Sequence, residues 1–338
     1  MKIFPGAKKI RYYLIGFLLL LIGTVVFILS CVSMPGASLT SPLAPLTQEQ
    51  KESADNMQVH VRKLAEEIGE RHYEEPEAYQ QAAEYINTAF EENGLVPYLE
   101  AFGDKLQYKN IIAERYGTTL PDEVIVVGAH YDTVWMTPGA DDNASGVAVM
   151  LELARQIKQK QLKRSVRFIA FANEEYPHFL RDSMGSLFHA KRIYDHQENI
   201  KLMISLEMLG YYSDEPNSQS YPSPFSWFYP TTANFVAFVS DYNSRRFLRE
   251  SIAFFRKANQ FPSEGLTVPT VLVSDVKRSD QAAFWRYGYP GFMVTDTAGF
   301  RNVAYHNVSD VPNSLNYEHM ARITTGLLLM IEDLANAE

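Results

Sequence analysis

"VVGAHYDTVWMTPGADDNASGVAVMLELA", residues 126–154, runs from an apolar, strand-like segment through a short loop into a helical one, and the loop carries one histidine and three aspartates. Carboxylates a few ångströms apart repel and resist joint ionisation, so a folded chain holds them together only with positive charge among them. A bound metal is the first candidate.

Working outward, short apolar runs recur: "YKNIIAERY" (108–116), "EVIVVGAH" (123–130), "SVRFIAFA" (165–172), "KLMISLEML" (201–209) and "PGFMVTD" (290–296). They alternate with helical patterns such as 146–158 and 317–335. Strands separated by helices predict an α/β fold, a mostly parallel mixed sheet with helices on both faces. Ligands of such sheets gather beyond the carboxyl ends of the strands. Ahead of the sheet, Thr47 and Gln50 form a capping box for a helix reaching about Gly69, and Pro76 and Gly94 bracket a second. There is no internal repeat, P-loop or dinucleotide fingerprint. An aromatic, proline-bearing loop at 211–230 is placed to wall a pocket.

The 338 residues are 46% hydrophobic and 21% charged, ordinary for a chain that buries a sizeable core. A net charge of −9, from 31 basic and 40 acidic residues, argues against a nucleic-acid binder. The single cysteine, Cys31, excludes an intrachain disulfide framework and a cysteine-rich zinc site. Any metal must be held by oxygen and nitrogen.

At the amino terminus Lys8, Lys9 and Arg11 precede the apolar run "LIGFLLLLIGTVVFILS" (14–30), and no further charge appears before Glu49. Such a segment is either an uncleaved signal anchor or a signal peptide. The ending "ILSC" (28–31) resembles the lipobox of bacterial lipoproteins, so both a signal anchor and a lipoprotein signal remain open for residues 1–31. Either reading places the rest outside the cytoplasm, periplasmic or extracellular, because the basic flank stays inside. Residues 32–46 read as a Pro/Ser-rich tether and 47–338 as the catalytic domain.

His130 and Asp132 follow one strand, Asp141 and Asp142 open a helix, Glu174 and Glu175 follow a second strand, Glu207 ends a third, and His306 lies in a loop after a fourth. Five segments thus deliver acid or imidazole groups to one sheet edge. Nitrogen and carboxylate donors without thiolates suit zinc, with cobalt or manganese as substitutes. Two histidines and three carboxylates exceed the needs of one catalytic zinc; two ions roughly 3.5–4 Å apart would use the whole set.

"GAHYDT", "GADDNASG", "FANEE" with Gly185 and Ser186, "SLEMLGY", "SDQAAFWRYGYP" and "YHNVSD" together resemble the motifs of metallopeptidase family twenty-eight, the co-catalytic zinc aminopeptidases. The resemblance implies a zinc-aminopeptidase (phosphorylase/hydrolase-like) fold from about Gln48 onward. It makes His130 a ligand of one zinc and His306 of the other, with Asp142 bridging, Glu175 and Glu207 completing the two spheres, and Glu174 the general base. Asp132 would orient the His130 imidazole. Two positions depart from the pattern: Glu207 stands where many members have aspartate, and Gln281 follows "SD" where histidine is frequent. No tyrosine is identified for the oxyanion.

The reading is a peptide-cleaving exopeptidase, most simply an aminopeptidase. In it a water between the cations attacks the scissile carbonyl and Glu174 shuttles its proton. Its partners would be peptide or protein amino termini and, through residues 1–31, a membrane. A glutaminyl cyclase or carboxypeptidase on the same fold, and a tethered binding protein without chemistry, are the alternatives. The carboxypeptidase reading leans on Arg301 as a grip for a substrate carboxylate. His72 and Asn302 are further candidates, while Asn143 and Asn307 match glycosylation sequons inside the metal motifs.

Overall fold

The computed structural model describes residues 7–105 and 107–338; the first six residues of the segment read as an anchor signal lie outside the described residues, as does Leu106. One helix, α1 (Ala7–Val32), is long and apolar enough to cross a membrane. Along Ile10–Leu29 most of its large apolar side chains are exposed.

The strands are β1 (Tyr98–Phe102), β2 (Tyr108–Arg115), β3 (Leu120–His130), β4 (Arg164–Phe171), β5 (Asn199–Glu207), β6 (Val236–Ser240), β7 (Ser263–Thr267) and β8 (Gly291–Thr295). They form one sheet in the order β1-β2-β4-β3-β5-β8-β6-β7. Its centre, β4-β3-β5-β8, is parallel, whereas β1, β2 and the β6–β8 pairing are antiparallel. Every residue of β4 is buried, the pattern of a strand covered on both faces. The expected mixed, mostly parallel sheet is therefore present. The reading from apolar runs passed over β1, β6 and β7, five-residue strands on the flanks of the sheet.

Two helical layers cover the sheet. On one face α2 (Gln48–Arg62), α3 (Pro76–Glu92), α4 (Gly146–Ile157), α6 (Arg245–Ala258) and α8 (Tyr317–Asn336) join a large core with Leu202, Ile204 and Leu206 of β5. On the other, α5 (Gly185–Asp195) and α7 (Gln281–Trp285) pack on Val124, Val126 and Met203. Alternate residues of β5 thus serve opposite layers, as strand geometry requires. The capping box forms: Thr47 Oγ1 accepts from the Gln50 amide at 3.2 Å, and Gln50 Oε1 from the Thr47 amide at 3.1 Å.

Residues 33–46 lie against the domain. Arg256 on α6 donates to the carbonyls of Pro35 (3.1 Å) and Gly36 (2.9 Å), the Ser263 amide donates to Ser38 Oγ (2.9 Å), and Arg322 on α8 donates to the Ala44 carbonyl (2.5 Å). The end of α1 is held likewise, Arg245 donating to the Ser30 carbonyl at 2.8 Å. Proline-rich chain has few internal backbone hydrogen bonds, so its carbonyls are free for these arginines.

Candidate metal centre

The parallel centre of the sheet brings its carboxyl ends to one edge, and the charged residues collect there. His130 is the last residue of β3 and Glu207 of β5, Glu174 and Glu175 follow β4, Asp142 precedes α4, and His306 lies beyond β8. The turn into α4 depends on Gly146. A Cβ there would stand 2.3 Å from Asn143 Oδ1 and 2.6 Å from the Leu206 carbonyl. Asn143 meanwhile donates to that carbonyl at 2.9 Å and accepts from the Met208 amide at 3.0 Å, fastening the loop to the end of β5.

Asp142 lies at the middle of the cluster. Its Oδ1 is 3.3 Å from His130 Nε2, and its Oδ2 is 3.1 Å from His306 Nε2. Glu207 Oε2 lies 3.4 Å from His130 Nε2, and Glu175 Oε1 lies 3.4 Å from His306 Nε2. His130, Asp142 and Glu207 thus form one three-donor group, and Asp142, Glu175 and His306 a second that shares its aspartate. His130, Glu174 and Glu175 also converge within 4.8 Å.

The donor set fits metal ions. Donors about 2.0–2.1 Å from a tetrahedral ion stand about 3.3 Å from one another, which is the spacing observed. Asp142 Oδ1 is moreover buried without a hydrogen-bond partner among the described residues. The protonation balance of the bare protein shows the same need for cations. Burial disfavours the charged His130, yet Glu207, Asp132 and Asp142 drive its pKa well up. Burial also opposes a charged Asp142, but His130 and His306 hold its carboxyl well below the usual range. His306 is raised to about 10 against its burial by Asp142 and Glu175. Glu175 is pushed up to about 7 by burial and then by Asp142, and Glu174 rises well above its ordinary value by burial and by its neighbours Glu175 and Glu207. Ions at the centre would stand in for the protons these groups otherwise share.

A layer of buried polar groups fixes these side chains. Asp132 accepts the amide protons of Glu174 (3.0 Å) and Glu175 (3.1 Å), and its Oδ1 is 3.5 Å from His130 Nδ1, whose nearer neighbour is the Asp132 carbonyl at 3.2 Å. Asp310 does the same for the amides of Asp141 (2.8 Å) and Asp142 (3.1 Å). Ser279 donates to Glu207 Oε2 at 2.6 Å. Asp141 does not face the donors; it accepts from the Gly210 amide (2.9 Å) and from Asn302 (2.7 Å), tying the loop to two distant segments.

Several residues escaped the sequence reading. Tyr305 stacks on the His306 ring with centroids 3.8 Å apart, and it lines the cavity beside the donors. Its hydroxyl is pushed far above the ordinary value by burial and by Asp142, Glu175, Glu207 and Glu174, so it stays a proton donor. Its place next to His306 in "YHNVSD" was the available signal. Within "GERHY" the buried organiser is Arg71, which donates to the carbonyls of Tyr131 (2.7 Å), Pro138 (2.6 Å) and Gly139 (2.8 Å). His72 contacts Glu70 at 2.7 Å instead of the cluster. Arg301, the grip of the carboxypeptidase reading, does not line the cavity: it is buried, donates to Gln219 Oε1 (2.8 Å) and the Phe235 carbonyl (2.9 Å), and lies 4.6 Å over the Phe235 ring. Gln281, at the position where histidine is frequent in the resembled family, is buried and donates to the Val276 carbonyl at 3.0 Å.

A cavity of about 660 Å³ opens from Asp142, Glu174, Glu175 and Glu207 and is walled by Tyr221, Pro222, Phe225 and Tyr229 of the aromatic loop. A site of this form presents crowded donors at one end and apolar walls at the other, the usual make-up of a small-ligand site.

The sequence model of peptidase family M28 matches residues 110–331. The chain is 35% identical over 294 residues to YfbL, an uncharacterized protein of Escherichia coli K12, covering 82% of this chain and 88% of that protein. It is 26% identical over 318 residues to leucine aminopeptidase 1 of Coccidioides posadasii, covering 88% and 74%. Among solved structures it resembles BSAP, a zinc aminopeptidase from Bacillus subtilis, with a TM-score of 0.65 at 14% identity over 84% of this chain and 95% of that one. It also resembles a glutaminyl cyclase of Fimbriiglobus ruber, with a TM-score of 0.61 at 19% identity over 87% and 97%. At such identities the structural likenesses show a shared fold.

Proposed function

The chain belongs to peptidase family M28, and from that premise we propose that it is an aminopeptidase holding two zinc ions at the sheet edge. It is a metallopeptidase hydrolase of the zinc exopeptidase kind, with peptides as substrates. His130, Asp142 and Glu207 would hold one ion and Asp142, Glu175 and His306 the other. The observation that carries this reading is the pair of three-donor groups sharing Asp142, whose two oxygens face different histidines.

Bound zinc would supply an acidified water and a polarised peptide carbonyl. The remaining work falls to side chains. Glu174, buried beside His130 and Glu175, takes the proton of the attacking water and delivers it to the leaving amine, a role worth roughly 10²–10⁴-fold. Asp132 positions it, because the same carboxylate clamps the amides of Glu174 and Glu175 and faces the His130 ring. The Tyr305 hydroxyl donates toward the oxygen that becomes negative. A free α-amine of the substrate would be met by the carboxylates lining this end of the cavity.

The anchor reading is part of the same proposal: residues 1–31 stay attached as a membrane anchor, residues 32–46 lead to the domain of residues 47–338, and that domain lies outside the cytoplasm. Support comes from the packing of Cys31, which is 4% exposed. Its carbonyl accepts from Thr267 at 3.4 Å. The carboxyl end of α1 is thus seated on β7, which suits an apolar segment that stays joined to the domain. Cobalt or manganese would substitute for zinc.

The test pairs metal content with turnover on the detergent-solubilised full chain. About two zinc ions per chain, hydrolysis of aminoacyl amides, and a Glu174→Gln variant that keeps its metal while losing turnover are the expected results. A chain that binds no metal and cleaves nothing would refute the proposal; cyclisation of amino-terminal glutamine in place of hydrolysis would favour the cyclase chemistry.

A further inference from the structure

The cavity has a second end, and its floor is set by strand register. Glu207 of β5 pairs with Thr295 of β8, Thr295 with Ala237 of β6, and Ala237 with Glu264 of β7. Residues directly opposite in a sheet point to the same face, so this row carries a metal-end carboxylate at one limit and Glu264 at the other. Three strand spacings separate them, roughly 14 Å between backbones. All four residues line the cavity. The middle of the row is low because threonine and alanine stand there. α5 and α7 cover this face over β3 and β5, while over β6 and β7 the aromatic loop roofs the gap and Tyr221 and Tyr229 stack with centroids 5.8 Å apart.

Glu264 is a strange residue to place at the end of an apolar channel. Its one ion-pair partner among the described residues is Arg256, at 3.9 Å, reaching round from α6 on the opposite face and already committed to the Ser263 carbonyl at 2.8 Å. The other acid at this end, Asp275, is paired with Arg278 at 3.0 Å. Burial pushes the Glu264 carboxyl above its ordinary range, which marks a charge short of partners. A carboxylate so placed lacks donors that a ligand can bring.

We propose that Glu264 is a specificity-determining residue that selects substrates with a long, basic amino-terminal side chain, lysine or arginine. This rests on the aminopeptidase reading above. The substrate's amino end lies at the metal end of the row. Its aliphatic stem runs over Thr295 and Ala237 between the tyrosine rings, and the cationic head meets Glu264 in a charge-assisted hydrogen bond. The aromatic walls favour the same ligand, since they pack on the stem and attract the cation.

The test compares lysyl and arginyl amides with the norleucyl amide, which has the lysine stem without the ammonium, on the zinc-loaded full chain. The expected result is a kcat/KM at least tenfold higher for lysine and arginine than for norleucine. In Glu264→Gln the ratio falls toward one, while Glu264→Asp, which keeps the charge, retains a preference for the basic residues. Norleucine cleaved as fast as lysine by the unaltered enzyme, or a ratio unmoved in Glu264→Gln, overturns the assignment and leaves the aminopeptidase reading standing. Cleavage of none of the panel by the zinc-loaded enzyme overturns the reading itself.

Discussion

At the ends of β3, β4 and β5 the sheet holds carboxylates 3.1–3.4 Å from imidazoles, with Asp132, Asp310 and Ser279 buried behind them. A few strands further, over β8, β6 and β7, the same sheet offers Thr295, Ala237 and an under-partnered Glu264 beneath a roof of loop aromatics. The first region is held by buried hydrogen bonds to the chain that carries the donors: Asp132 and Asp310 clamp the amides of Glu174, Glu175 and Asp142, and Ser279 donates to Glu207. In the second, the shape of the channel and one charge at its end constrain what enters. The difference separates chemistry from selection: a proton must move between atoms held within tenths of an ångström, whereas a side chain needs a channel of the right length with the right charge at its end.

Substitutions should respect that division, and the largest effect belongs to the first region. Glu174→Gln should lower kcat by roughly 10²–10⁴-fold with metal content unchanged; metal loss in this variant would recast Glu174 as a ligand, in keeping with its place beside His130 and Glu175. Tyr305→Phe should cost about 10²-fold in kcat with little change in KM, as for loss of one oxyanion donor. If KM rises and kcat holds, the tyrosine belongs to the selective region instead.

A smaller effect is expected from the channel. Ala237→Leu raises the floor of the row between Thr295 and Glu264, and should reduce kcat/KM for lysyl substrates about tenfold while sparing alanyl ones. Equal losses on both would show that the floor communicates with the donors and would erase the contrast between the regions.

The smallest effect is one of stability. In the metal-free protein Glu175 is raised to about 7, chiefly by burial, and Glu174 is raised as well. A carboxyl whose folded pKa exceeds its unfolded value binds more protons when folded, so its contribution is present at low pH and is lost as pH rises from about 4.5 toward 7. Zinc favours the ionised forms and removes that penalty. The Tm gap between zinc-loaded and metal-free protein should therefore widen from pH 5 to pH 7.5, as differential scanning calorimetry would show. A gap independent of pH would mean that the donors do not carry this strain.

Much of the first region was legible in the chain. His130, Glu174, Glu175 and Glu207 follow apolar runs directly, and a parallel sheet must bring such positions to one edge. Asp142 was legible through the crowding around it. Tyr305 was not, although it adjoins His306, since stacking on the imidazole depends on how the loop after β8 turns back. Asp310 and Ser279 escaped for the same reason: a hydrogen bond to a backbone amide or a ligand oxygen leaves no mark on spacing. Arg301 suggested a substrate by its charge, while the fold buries it behind the cavity wall against Gln219 and Phe235.

The channel was almost wholly hidden. The aromatic loop announced a wall, but β6 and β7 are short, and nothing near Glu264 resembles a motif. What the sequence determined by itself was local: alternating apolar runs and helices, donors after strands, a capping box at Thr47, an apolar segment at the amino terminus. The family resemblance already implied that Asp142 would be the shared carboxylate; tertiary structure alone decided which residues would floor the channel and which carboxylate would stand at its end. Those outcomes depend on strand order and register, which bring residues 207, 295, 237 and 264 into one row, and strand pairing between distant segments is set by the packing of the whole core.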